Sequence, residues 1–230
     1  LRYRGRPVGP LLGRKMWVSF QVNAAAIIVS LSIGLPLGFW VAHKQGSWKD
    51  PAIVALTLIL MSIPIMVTVP ALLWALCLKL HWIPCSGWGG LIDPRIVVPA
   101  ITMGVPGIAG FVRLMRASTL DVLGQDFIRT AKSKGLKPHV VDTRHVFRNA
   151  MIPIVSVVGL QVGGLLGGAV ILESIFVLPG LGRGIVQAVV ARDYPVIQSL
   201  ATILVVLMLS VNLIVDMAYA LLDSRISYDV

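Results

Sequence analysis

Charge is scarce in this sequence. Asp, Glu, Lys and Arg make up 13% of its 230 residues, where a soluble domain carries about 25%. The shortage is concentrated. The stretches 16–42, 51–78, 96–112, 149–172 and 194–215 hold no charged residue at all. A helix needs roughly 20 apolar residues to cross a hydrocarbon core of about 30 Å. Four of the stretches are that long, and 96–112 reaches it with Leu114 and Met115 added. Five such runs in one short chain argue against a soluble helical core. In lipid the backbone must satisfy its own hydrogen bonds, so the spans are expected to be helices. A barrel would instead show segments of about ten residues with alternating polarity, and no such segments occur.

Other absences narrow the function. The two cysteines, Cys77 and Cys85, form no CxxC pair and no ligand set; a disulfide between them would need Cys85 in an oxidising compartment. His43, His81, His139 and His145 are scattered without HExxH spacing, so no metal site is expected. The net charge is +10, yet no basic patch is interleaved with aromatics to stack bases, so no nucleic-acid partner is expected. There is no GxxxxGK[ST] phosphate loop, so ATP hydrolysis is not expected of this chain. The spans lack clustered His, Asp, Glu, Ser or Cys, which a membrane-embedded enzyme needs. Their polar residues are few (Gln21, Asn23, Gln161, Asn212). An ion-gradient-driven carrier or channel subunit remains the alternative class, but buried charges or repeated broken-helix halves would mark it, and neither is evident.

The basic residues that are present order the spans. Arg113, Arg116, Arg129, Lys132, Lys134, Lys137, Arg144 and Arg148 crowd the stretch 113–148. Loops rich in Lys and Arg stay cytoplasmic. Alternation then puts 43–50 and 223–230 inside, and 1–15, 79–95 and 177–193 outside. Five basic residues (Arg2, Arg4, Arg6, Arg14, Lys15) fall on the outer side before the first run. An earlier span preceding Leu1 would account for them, and the chain, which opens without Met or a signal peptide, reads as truncated or processed there.

Proline and glycine punctuate the spans. Pro36, Pro64, Pro70, Pro99 and Pro106 remove backbone donors and favour bends. Gly159, Gly163 and Gly167 fall at four-residue spacing, a ridge suited to a close helix–helix contact; Gly34 and Gly38 repeat the pattern. In the basic stretch, Asp126 can cap a short helix beginning at Phe127. Gly135 can close it, and Pro138 can open a second helix running to about Asn149. The first helix is too short to be stable alone, so it needs a surface to lie on; anionic lipid is the plain alternative to a protein partner.

The run RTAKSKGLKPHVVDTRHVFRNAMIPI, 129–154, resembles the cytoplasmic EAA…G signature of ABC importer permeases. Ala131 and Gly135 match its second alanine and its glycine. Arg129 and Thr130 stand where the general pattern has Glu and Ala, and Pro153 comes later than in sugar importers. Both departures are similar to the dipeptide/oligopeptide/nickel branch, with its R-T-A-x-x-K-G-L and R-H-x-x-R-N-A-x-I-P runs. ESIFVLPGLGRGIVQAVVARDYPVIQ, 173–198, resembles the same branch, and LRYRGRPV and LLDSRISY point to its B-type subunit.

The resemblance implies an all-α polytopic bundle, the type I importer transmembrane fold, in the inner membrane of a prokaryote. It implies an outer segment 1–15, a permease domain 16–222 with its coupling loop at 113–148, and a cytoplasmic tail 223–230. A further span would precede Leu1. The chain would form half of a path for peptides, nickel or glutathione, with a sister permease as the other half. Two ATPase subunits would hold ATP and Mg, this chain binding no cofactor, and an external binding protein would deliver substrate. The coupling helix would be Phe127–Gly135, with Phe127, Arg129, Thr130, Ala131, Lys132, Lys134 and Gly135 meeting the ATPase. Glu173, Pro179, Gly180 and Gly182 would lie in a turn, 178–184, near the outer gate.

Overall fold

The computed structural model describes residues 8–84, 86–164 and 170–222. Among these, every regular element is helical. Helix α1 is Val8–Ala42, α2 Lys49–Ser62 and α3 Ile65–Leu72, the last continued by wider π turns over Leu73–Lys79. A long α4, Val97–Leu123, leads to α5, Asp126–Ser133. Then come α6 Pro138–Val140, π turns over Val141–Phe147, and α7 Arg148–Ala150. The chain ends in α8 Ile152–Gly164, α9 Val170–Ile175, α10 Leu181–Val190 and α11 Tyr194–Leu222.

Among the described residues, three helical stretches are long and apolar enough to cross a membrane: Leu12–Ala42, Pro94–Leu123 and Tyr194–Leu213. A bent pair follows the first of them, with the form of a broken span or a re-entrant loop. Lys49–Ser62 and Ile65–Lys79 meet at 91°. Ile63 lies between them with extended backbone, φ −76° and ψ 120°. The ring of Pro64 disfavours helical geometry at the residue before it, which accounts for the break. Pro36 and Pro106, by contrast, sit inside uninterrupted helices. The uncharged run 149–172 enters α8, and 165–169, with Gly167, lie outside the described residues, as does Cys85.

Tryptophans mark the edges of the apolar zone. Trp17 and Trp40 are exposed on α1, about 35 Å apart at 1.5 Å per residue, close to the span of a bilayer with its interfaces. Lys49 Nζ lies 5.7 Å from the Trp40 ring, and Lys79 Nζ 5.3 Å from that of Trp74. Such cation–ring pairs suit the headgroup level. Beyond Leu200, α11 exposes several large apolar side chains (Val205, Val206, Met208, Leu209, Leu213), a surface that hydrocarbon rather than water would cover.

The chain forms two compact units. One comprises 26–68 and 101–158. Its core joins Phe111, Met115 and Val122 of α4, Ile128 and Ala131 of α5, and Val141, Val146, Ala150 and Ile154. In this unit α1 approaches α4 through small residues. A Cβ on Gly34 would lie 2.7 Å from Phe111 Cβ, and one on Gly38 2.5 Å from the Val112 carbonyl oxygen. The buried Ser30 hydroxyl lies 2.8 Å from the carbonyl oxygens of both Ala26 and Gly104. The close crossing thus runs through Gly34 and Gly38, the fainter of the two glycine patterns. Gly159 and Gly163 lie in α8.

The second unit gathers 1–25, 69–100 and 159–230. Its core includes Leu12, Leu181 and Leu200, with Met16, Ile185 and Val196 packed on them.

Candidate functional site: a short basic helix and a capped hairpin

Helix α5 is amphipathic, and its two faces have separate tasks. Ile128 and Ala131 are buried in the unit's core, while Phe127, Arg129, Thr130, Lys132 and Lys134 are exposed. The inner face packs on the π-helical segment Val141–Phe147. Ala131 therefore turns toward its own chain. Its small size allows α5 to lie close to the following segment.

The ends of α5 follow from local chemistry. Gln125 is the extended N-cap residue, with no side-chain capping bond. Asp126 is already inside the helix, one position later than expected of a cap. Its carboxylate lies 3.5 Å from Arg129 Nη1, and it assists the helix as a negative charge near the positive end of the dipole. At the other end Gly135 has φ +74°. Its N–H donates to Lys132 O at 3.0 Å, and that of Leu136 to Ala131 O at 3.4 Å. This is the paired closure of a Schellman motif. Nothing lies within 4 Å of a Cβ at Gly135, so glycine is needed there for its backbone angle and not for space. Pro138 then opens α6, and helical turns continue to Ala150.

The stretch 113–148 is not loop throughout, since Arg113–Leu123 belongs to α4. Around it the unit is tied by polar contacts between distant residues. Arg116 donates to both carboxylate oxygens of Asp50, at 2.6 and 2.7 Å. Ser118 donates to Ala150 O at 2.8 Å. His43 Nε2 lies 3.3 Å from Asp142, and the ring of Phe39 meets that of Phe147 edge-on, 5.4 Å between centroids. The segment after α1 and the stretch 113–148 thus share one end of this unit, as alternation from the basic loop requires.

The side chain of Asp50 is 9% exposed and that of Arg116 28%. Removing one member of such a pair leaves a poorly solvated charge, at a cost of about 3 kcal/mol. Asp50→Ala is therefore expected to lower the thermal midpoint of the detergent-solubilised protein more than the double change Asp50→Ala with Arg116→Met. Equal midpoints for the single and double variants would show that the pair contributes little.

The other unit holds the four residues expected near the outer gate. The turn is shorter than expected: Gly180 is the N-cap of α10, and Leu181–Gly184 already form its first turn. Gly180 has no side chain to cap with, and the cap comes from elsewhere. Glu173 is 2% exposed, and its Oε2 accepts from Arg183 N–H at 3.0 Å. Leu181 N–H donates to Ser19 Oγ at 2.8 Å, and Ser19 donates in turn to Glu173 Oε1 at 2.6 Å. A carboxylate and a hydroxyl from two other helices thus satisfy the first turn of α10. A Cβ on Gly180 would run into the Glu173 carboxylate, and one on Gly182 would lie 2.7 Å from Val170 Cα. Glu173, Gly180 and Gly182 are therefore parts of one tightly closed hairpin, with Pro179 half-buried in its turn. The 79–95 segment joins it, since Gly87 N–H donates to Phe176 O at 3.0 Å. Sequence reading missed Ser19, which carries no motif.

Among the described residues no three His, Cys, Asp or Glu side chains gather as a metal site.

The described residues thus place a short basic helix, backed by its own core, between two apolar runs. The chain belongs to the family of binding-protein-dependent transport system inner membrane components, which it matches over residues 34–228. It is a permease subunit of an ABC importer in the bacterial inner membrane, a transport component and not an enzyme. A probable peptide ABC transporter permease of Sinorhizobium fredii is 33% identical over 232 residues, covering 98% of this chain and 74% of the relative. The dipeptide transport permease DppB of Bacillus subtilis is 36% identical over 219 residues, 95% of this chain and 70% of the relative. The Escherichia coli K12 protein of that name is 36% identical over 241 residues, with 91% and 70% covered. Among solved structures, the MetNI methionine ABC transporter in an inward-facing form matches with a TM-score of 0.75. That match has 18% identity over 95% of this chain and 99% of the other, and shows a shared fold.

Proposed function

We propose that this chain forms half of the translocation path for short peptides, paired with a sister permease. An external binding protein would deliver the peptide, and two ATPase subunits carrying ATP and Mg would dock at the inner face. The permease domain would be 16–222, with 1–15 on the outer side and 223–230 in the cytoplasm. The observation that carries this reading is the division of labour on α5. Its inner face is part of the core, while Phe127, Arg129, Lys132 and Lys134 are all exposed. A short helix with one face fixed in the core and an open apolar residue and cations on the rest suits a helix-in-groove contact. Closure of two ATPases around it would move the spans as rigid bodies. The peptide substrate is supported by the names of the relatives.

The test is to tag the chain in its native host, solubilise gently and identify what co-purifies, then to measure dipeptide uptake in a strain lacking it. Recovery of P-loop ATPases with a second permease, and loss of dipeptide uptake, are expected. Intact dipeptide uptake with loss of nickel or glutathione uptake would reassign the substrate. Recovery of the chain alone in several detergents, with nucleotide present, would overturn the assembly.

A further inference from the structure

We infer that Arg113 is a fixed cation in the translocation path that binds the C-terminal carboxylate of the passing peptide. The inference rests on the peptide reading above and adds a substrate-contacting residue to it.

Arg113 lies within α4, one turn nearer its start than Arg116. The two arginines are treated oppositely. Arg116 is neutralised by the two-pronged contact with Asp50. Asp50 begins α2 beside Lys49, whose ammonium lies over Trp40, so that pair sits at the membrane edge. Arg113 instead reaches back along α4 toward its start. Its Nε donates to Ala109 O at 3.3 Å, and Nη2 lies 3.6 Å from Met61 Sδ. Met61 is eleven residues beyond Asp50, about 16 Å further along α2. Among the described residues no carboxylate forms an ion pair with Arg113, and its side chain is exposed.

An arginine directed into the apolar zone is costly when it faces lipid. Such groups face a bundle interior or a water-filled cavity and mark ligand pathways. The protein neutralises the neighbouring arginine one turn away, so the open guanidinium of Arg113 is not forced by lack of a suitable position. Its two terminal nitrogens match a carboxylate in fork geometry. A short peptide carries one such group whatever its side chains, so a single cation suits a path that accepts many sequences.

The test uses the assembled importer, this chain with its partners and binding protein, reconstituted in vesicles. Initial uptake rates are compared for alanyl-alanine and its C-terminal amide, in wild type, Arg113→Gln and Arg113→Lys. The ratio of acid to amide rates is expected to fall roughly tenfold or more in Arg113→Gln, with partial recovery in Arg113→Lys. Discrimination by the binding protein is the same in all three and cancels. Equal slowing of both substrates would overturn the proposal and assign Arg113 to a partner subunit or a lipid headgroup. Unchanged rates would overturn it also. A wild-type importer that carries neither compound would overturn the peptide reading, and this proposal with it.

Discussion

Gly38→Val is expected to leave little folded protein in the membrane. The added Cβ would lie 2.5 Å from Val112 O, 2.9 Å from Met115 Cβ and 3.1 Å from Val112 Cα. Two of those three atoms are backbone, which cannot rotate away as a long side chain can. Relief would require α1 and α4 to separate, with loss of the neighbouring Gly34–Phe111 contact and the shared Ser30 hydrogen bond. Overpacking of this kind costs about 3 kcal/mol or more, a large part of a total stability of about 5–15 kcal/mol. Gly110→Val is the matched control, since nothing lies within 4 Å of a Cβ there. With a fluorescent fusion and size-exclusion chromatography, the monodisperse peak should fall at least about fivefold for Gly38→Val and stay near wild type for Gly110→Val. Equal peaks would show that the helices can part at little cost.

Reversing the charges on α5 is expected to stop transport without touching the fold. Arg129, Lys132 and Lys134 are exposed, and Arg129 has only the distant Asp126 contact within its own helix. Their loss should cost the isolated chain within about 0.5 kcal/mol. Against an acidic groove the triple change to Glu replaces attraction by like-charge repulsion, worth several kcal/mol. Membrane levels should match wild type, while ATPase recovery and uptake fall by about two orders of magnitude. Gly135→Pro should act in the same direction, because proline cannot adopt the positive φ and lacks the N–H that closes the helix. Normal uptake by the triple variant would remove α5 from the coupling path.

The parts of this protein that were legible from sequence are those set by local chemistry. Uninterrupted apolar runs announce spans because a bilayer tolerates little else. Gly135 and Pro138 announce a helix end and a helix start because glycine permits the positive φ that closes a helix and proline fixes its own φ near the helical value. What escaped was contact between residues far apart in the chain. Ser19 and Glu173 are separated by 154 positions, and Asp50 and Arg116 by 66. No periodicity links such pairs, and only packing brings them together. The glycine patterns show the same boundary. Spacing marked Gly34 and Gly38 as a small-residue ridge, but it could not name α4 as the helix they would meet. Nor could it orient Ala131, since a small residue suits either face of a short helix.

The burial of Ile128 and Ala131 beside Met115 and Ile154 has a mechanical consequence. A helix held only by its connections would behave as a leash, taking up slack before it pulled. Helix α5 is bonded into the same close-packed block as α4 and the start of α8, and such interiors are hardly compressible. A push on its outer face therefore meets no slack. On the proposed function the element would work as a crank, passing a displacement at its outer face to the feet of those two helices.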